Sequence, residues 1–372
     1  MNITAEHFIF DQNVKGTWDN VKCSSLFTHS IYTTWTKFDW PDTYFMLNLN
    51  WPTDAVIEHT PKSFERYVIS FQIEAVDIYW VKQLAQQLPH AQIIVLHEGK
   101  FYDSDYWPKN LVFLPWITWD EQLRRIANVH GRQDFVDTAT YKITSLCNRL
   151  SQYKFYVSAY LLKNHDISQC VFSYHGHVDK KADTDYLITG VPALDSLVEF
   201  METQPPVSID DTTKTQRNTD TLNTNWNWSA HTDSVICLTN EGFHYSHTEI
   251  DGVKFVRPGP PLSEKTLKPI LAGQAFIAVG TVNTHQALTE LGFVFDYGLD
   301  LSFDQEPRDL SRILRIFQVI DRIMGLSVDE LKNRVRESTI HNSRWAVSND
   351  LKSLVCFKNE QTLDKMRQVL FT

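Results

Sequence analysis

The chain carries only five cysteines in 372 residues, at Cys23, Cys147, Cys170, Cys237 and Cys356, widely scattered and with no CxxC pair. An odd, dispersed set offers neither the spacing of a zinc knuckle nor a disulfide framework, so a reducing cytoplasm is the expected setting. No apolar run approaches the ~18–20 residues of a membrane span, and the mean hydropathy is −0.30. The opening residues, MNITAEHFIFDQNVKG, join no basic region to an apolar stretch, so a secretory signal is not expected. P-loop, GxGxxG and GxSxG motifs are all missing. Positive charge is also short: 35 Lys and Arg stand against 45 Asp and Glu, 35 − 45 = −10. With a pI near 5.8, the surface as a whole is not basic, although a local basic groove stays compatible with it.

What is abundant is apolar and aromatic. Hydrophobic residues make up 42% and aromatics 13% of the chain, enough for buried cores and far from a disordered composition. Trp, Tyr and Phe fill cores, and they also stack on sugars and bases. The length suits two domains of ~100–200 residues each.

Short apolar runs alternate with helical periodicity through the first 140 residues. Tyr44–Leu49, Tyr67–Phe71, Ile93–Leu96 and Leu111–Leu114 have strand length. A helix opens at Asp77, with Val81, Leu84, Ala85 and Leu88 on one face, and another covers Asp120–Asn128. This alternation predicts βαβ units and a largely parallel sheet. Beyond it the pattern predicts a long helix within Lys142–Asn164, a strand at Cys170–Tyr174 and a helix at Val191–Met201. Thr203–Asp233 is Thr-, Asn- and Asp-rich and has little to fill a core except Trp226 and Trp228, so it reads as a mobile insertion. Order resumes with a strand at Ser234–Leu238, a helix at Glu264–Ala272, a strand at Ala275–Val279, a helix at His285–Leu291 and a strand at Phe293–Phe295. Gly273 and Gly292 follow the two helices, where a left-handed residue is needed. Asp309–Met324 places Leu310, Ile313, Leu314, Phe317, Ile320 and Met324 on one stripe. The expected architecture is therefore α/β, with units at 1–140 and 141–307, insertion 203–233 inside the second, and C-terminal helices over 308–372.

The window most suggestive of chemistry is Pro261–Gly280. Ser263 can cap a helix whose first turns hold Glu264, Lys265 and Lys268. Exposed amides, a positive dipole end and lysines together suit a phosphate or diphosphate, although an ordinary capped surface helix has the same look. Two DxD pairs, Asp103/Asp105 and Asp183/Asp185, match a metal–nucleotide pattern that chance produces easily in an Asp-rich chain. His175/His177 and His244/His247 lack a third ligand nearby and read as loop histidines.

The string SEKTLKPILAGQAFIAVGT, followed by a helix and LGFVFD, resembles a motif of bacterial and phage glycosyltransferase-like proteins of the GT-B type, distantly fucosyltransferase-like. The matching residues are Ser263, Glu264, Lys265, Lys268, Pro269, Gly273, Phe276 and Gly280, within a span of Ser234–Asp296. Asn148-Arg149 resembles the family's NR segment, although NRLSQYKFY keeps only Arg149 and Lys154 as cations.

The resemblance implies two Rossmann-like domains facing a cleft, the N-terminal one on the acceptor side and the second binding a UDP- or GDP-linked sugar. The C-terminal helices would pack across both. It implies donor binding by Arg149, Glu241, Ser263, Glu264, Lys265 and Lys268, a metal-independent transfer, and no cofactor besides the co-substrate. Glu74, after the strand Tyr67–Phe71, is the expected catalytic base, with a helix-opening carboxylate as the plain alternative. DNA carrying a hydroxylated base is one expected acceptor and a glycan or lipid-linked sugar the other. A non-catalytic nucleotide- or glycan-binding protein of the same fold is the competing expectation.

Overall fold

The computed structural model describes residues 8–9, 43–48, 62–71, 78–97, 107–117, 119–147, 152–174, 188, 190–207, 228–240, 247–250, 253–256, 264–280 and 282–371. Strands β1 (Phe8–Ile9), β2 (Thr43–Asn48), β3 (Arg66–Phe71), β4 (Gln92–His97) and β5 (Leu111–Pro115) form a parallel sheet in that order. The order runs without reversal among the described strands. Ile93, Ile94, Val95 and Leu96 are all fully buried. That is why β4 reads as a continuous apolar run rather than an alternation: both faces of the sheet are covered. Helix α1 (Ile78–Gln87) lays Val81, Leu84 and Ala85 on Tyr67, Ile69, Ile93 and Val95. Asn110, just ahead of β5, donates its side-chain amide to the carbonyls of Ala85, Leu88 and Ala91, adding to the backbone bonds that close the helix end.

Helix α2 (Trp119–His130) leads to the second sheet. There β6 (Tyr141–Cys147), β7 (Cys170–Tyr174), β8 (Ser234–Asn240) and β11 (Ala275–Val279) are all parallel, in the spatial order β11-β8-β6-β7. A two-stranded antiparallel ribbon, β9 (His247–Ile250) with β10 (Val253–Val256), lies between β8 and β11 in sequence. The helices are α3 (Gln152–Asn164), α4 (Pro192–Glu202), α5 (Trp228–Thr232), α6 (Glu264–Leu271) and α7 (Thr284–Thr289). They are followed by α8 (Asp309–Met324), α9 (Val328–Ala346) and α10 (Asn349–Phe371). Ile143, Leu238, Ile277 and Val279 join one core with α3, α4 and α8, while Cys237 and Phe276 join another with α2, α6, α7 and α10.

Three expectations change. The long helix within Lys142–Asn164 is instead strand β6 followed by α3. β-Branched Ile143 and Thr144 sit in the strand, which pairs with neighbours on both sides, and this ladder outweighs the local helical pattern. Phe293–Phe295 is not a strand. Its backbone is held by a side chain instead, Asn342 accepting from the Val294 amide and donating to the Val294 carbonyl, both at 2.7 Å. Within Thr203–Asp233, Val207 bridges Tyr174 at the edge of β7 and Trp228–Thr232 is helical, with Ala230 and His231 buried. Residues 208–227, including Trp226, lie outside the described residues.

The last helix returns to the first sheet. α10 packs on β4 and β5, Asn359 makes two hydrogen bonds with the Ile117 backbone, and Thr362 donates to the Pro115 carbonyl. At its end, the Leu370 carbonyl accepts from Arg66 Nε at 2.5 Å.

Gly273 and Gly292 both take positive φ, 66° and 89°. At Gly273 space is short as well: a Cβ would lie 2.7 Å from the Phe135 amide nitrogen and 2.8 Å from the Gln133 carbonyl. The 133–136 segment lies there because Gln133 and Val136 donate to the carbonyls of Leu271 and Gly273. Gly273→Ala should therefore cost about 2 kcal/mol or more, from the left-handed backbone together with displaced main chain. The urea midpoint reads this directly; an unchanged midpoint would refute the close approach.

A candidate anion site at the carboxyl edge of the second sheet

Strand order reverses between β6 and β8: the chain first steps from β6 outward to β7, then returns to the other side for β8 and β11. In open parallel sheets that reversal opens a crevice at the carboxyl ends of the strands, where ligands bind. Here the edge is marked by Cys147, Tyr174, Asn240 and Val279, the last residues of the four strands. The helix α6 leads into β11 through Gly273 and Gln274, so its last turn lies at the amino edge and its first residue, Glu264, at the carboxyl edge.

Of the residues nominated from sequence, Glu74, Arg149, Glu241 and Ser263 lie outside the described residues, as do Asp103, Asp105, Asp183, Asp185, His175, His177 and His244. Glu264 opens α6. Lys265 and Lys268 are half-buried on that helix, one turn apart. Lys268 lies near enough to His231 for its charge to oppose protonation of that ring. Leu267, Ile270 and Leu271 pin the opposite side of α6 into the core, which fixes the helix and its first turn. Lys154, in the first turn of α3, is buried. Burial pushes the Cys147 thiol up to about 11, and the Lys154 charge pulls against that rise. A buried ammonium therefore stands close to the end of β6.

Two buried histidines mimic catalytic groups and are better explained as structural. His285 Nε2 accepts from the Ala278 amide at 3.1 Å, so its proton is on Nδ1, which faces Asp304 Oδ1 at 3.2 Å. Asp304 also accepts from the amides of His285 and Gln286 and so caps α7. Burial pushes the Asp304 carboxyl up, but these hydrogen bonds and the His285 ring outweigh it and hold the group below the usual carboxylate range. With both ring nitrogens engaged, His285 has no lone pair or proton left for a substrate.

His231 belongs to a polar cluster toward the amino ends of β8 and β11. Its Nδ1 lies 3.0 Å from Gln274 Oε1. The Gln274 amide donates to Thr144 Oγ1, to the Ser234 carbonyl and to Ser234 Oγ, and Thr144 donates to the Ala230 carbonyl. Nothing in the sequence pattern marks this cluster, because its members come from three separate stretches of the chain.

Among the described residues, no three His, Cys, Asp or Glu side chains gather into a group that could hold a metal ion. No helix among them is long and apolar enough to cross a membrane. No family model, curated protein or solved structure matches the chain.

Burial holds the His231 ring down to about 4, with the Gln274 hydrogen bond opposing that shift and Lys268 adding to it. The unfolded chain takes up this proton near pH 6.5 and the folded chain only near pH 4. Stability therefore falls as pH drops from about 6.5 to 4, by roughly 3 kcal/mol in all. Urea unfolding of wild type and His231→Gln across that range should show the steeper slope in wild type; parallel slopes would refute it.

Proposed function

We propose that the chain is a nucleotide-sugar-dependent glycosyltransferase of the GT-B type, built on two Rossmann-like halves. One observation carries the reading: the strand-order reversal at β6/β8 and the N-terminus of α6, with Lys265 in its first turn, share the carboxyl edge of one parallel sheet. A nucleoside diphosphate leaving there meets helix amides and a cation, which stabilise its developing charge without a metal. Arg149 and Glu241 follow the last residues of β6 and β8 by two positions and one position, and join Ser263, Glu264 and Lys265 as the donor-binding set; Lys268, in the last turn of α6 and close to His231, falls toward the amino edge and leaves that set. A carboxylate in this set, Glu241 or Glu264, accepts from the ribose diol, and Glu74 takes the acceptor proton.

The acceptor is better read as a glycan hydroxyl than as DNA. DNA binding needs unengaged cations, and many of those around the arginine-rich C-terminal helices are held by the protein's own groups. Arg344 and Arg132 hold Asp134, Arg336 holds Asp137, and Arg308 and Arg315 hold Glu306. Lys332 and Arg334 donate to the carbonyls of Asp137 and Gly298.

Calorimetric titration with UDP- and GDP-sugars tests donor binding, and Lys265→Ala should weaken it by roughly 10- to 150-fold, the loss of one charge-assisted contact of about 1.5–3 kcal/mol. Equal affinity in the variant would remove Lys265 from the site. Transfer should survive EDTA, and Glu74→Gln should bind donor while losing turnover. Binding with no transfer to any acceptor would instead favour the non-catalytic reading.

A further inference from the structure

Helices α3 and α8 run side by side in the same direction and in step. Tyr153, in the first turn of α3, donates its hydroxyl to Asp309 Oδ1, in the first turn of α8, at 2.9 Å. Two turns on, Tyr160 stacks on Phe317 with centroids 3.9 Å apart and bonds Asp321. Past the end of α3, His165 meets the same Asp321. Because α3 leaves the carboxyl end of β6, both helix N-termini lie at the edge where the strand order reverses.

Between these two first turns sits Arg312, whose side chain is 1% exposed. Its Nε and Nη2 donate to the Tyr153 hydroxyl at 3.1 and 2.6 Å, and Nη2 also reaches Asp309 at 3.1 Å. The guanidinium lies 5.0 Å from the centre of the Tyr153 ring. Nη1 is buried and has no hydrogen-bond partner. The contact with Asp309, three residues earlier, means that the side chain leans toward the N-terminus of α8, as helical side chains do. It is thus aimed at the carboxyl edge. An ionised group this buried is costly to leave without an acceptor. Asp309 offsets part of the charge through Nη2, and two helix N-termini add positive potential at the same place. A neutral acceptor would use the nitrogen but not that potential.

We infer that Arg312 Nη1, with the first turns of α3 and α8, forms a subsite for a phosphate-class anion at the carboxyl edge of the second sheet. This deepens the donor-binding reading and rests on it for the identity of the anion, a nucleoside diphosphate. In that role Arg312 grips the diphosphate from the β6 side while α6 approaches from the β8–β11 side. Sequence reading passes over Arg312 because it sits in an arginine-rich amphipathic helix among paired surface charges.

The test is titration of inorganic pyrophosphate into the full chain by calorimetry, in wild type, Arg312→Met and Arg312→Lys. Affinity should fall about tenfold or more in Arg312→Met and less in Arg312→Lys. Wild-type crystals soaked in tungstate should show an anomalous peak within hydrogen-bond reach of Arg312. Undiminished pyrophosphate binding in a folded Arg312→Met, no binding to wild type, or tungstate only elsewhere would each overturn the subsite. Should Arg312→Met fail to fold, the tungstate position in wild type decides alone. Pyrophosphate bound at Arg312 without binding of any nucleotide-sugar would sink the transferase reading and leave the subsite standing. Nucleotide-sugar binding indifferent to Arg312 would do the reverse.

Discussion

A parallel sheet buried on both faces dictates the placement of everything around it. In the second sheet Ile143, Ile236, Ile277 and Val279 on one face, and Cys237, Phe276 and Ala278 on the other, are buried, so helices cover both sides. A helix that returns the chain from the end of one parallel strand to the start of the next runs antiparallel to both. Its N-terminus then falls beside strand carboxyl ends, as with α3 after β6 and α6 before β11. α8 is not a crossover helix, but its in-step packing on α3 carries its first turn to the same edge. Apolar burial alone therefore concentrates helix amides and dipole ends at one rim, before any functional side chain is chosen.

Two segments outside the ladders solve their backbone hydrogen bonding in the same way. Asn342 on α9 pairs with both polar groups of Val294, and Asn359 on α10 pairs with both polar groups of Ile117. Each asparagine presents one acceptor and one donor, as a neighbouring strand residue would, and spares a buried amide the cost of standing alone. The same contacts tie the C-terminal helices to segments far away in sequence. α10 thereby connects the core of α2, α6 and α7 to β4 and β5.

These side-chain surrogates explain part of what was legible in the sequence. Runs such as Ile93–Leu96 and Ala275–Val279 identify themselves, because burial on both faces leaves no polar residue in them. The stripe of Asp309–Met324 identifies α8 for the opposite reason: one face is buried, and the period shows. Phe293–Phe295 is as apolar as a strand, yet its partner is an asparagine nearly 50 residues away, which no local pattern encodes. β6 was hidden because YKITSLC runs into QYKFYVSAYLLKN, and apolar residues fall at helical spacing across the join. Only pairing with β7 and β8 separates the two. The edge itself is legible in part: Lys265 stands out beside a helix start, whereas Arg312 and Tyr153 become neighbours only when α3 and α8 pack.

The two ends of the second sheet differ in how completely their polar groups are satisfied, and that difference separates architecture from chemistry. Toward the amino end, Gln274 spends its oxygen on His231 and its nitrogen on Thr144 and Ser234, and Thr144 reaches on to Ala230. Such a closed network rigidifies a core and leaves nothing to offer a ligand. His285 and Asp304 are closed in the same sense, each bonded to the backbone as well as to the other. At the carboxyl end one buried group stays incomplete: Arg312 keeps one nitrogen without an acceptor. Other buried atoms also lack a partner, Trp116 Nε1 and Thr339 Oγ1 among them, but the Arg312 guanidinium differs in being charged at every physiological pH and in lying where the first turns of α3 and α8 meet.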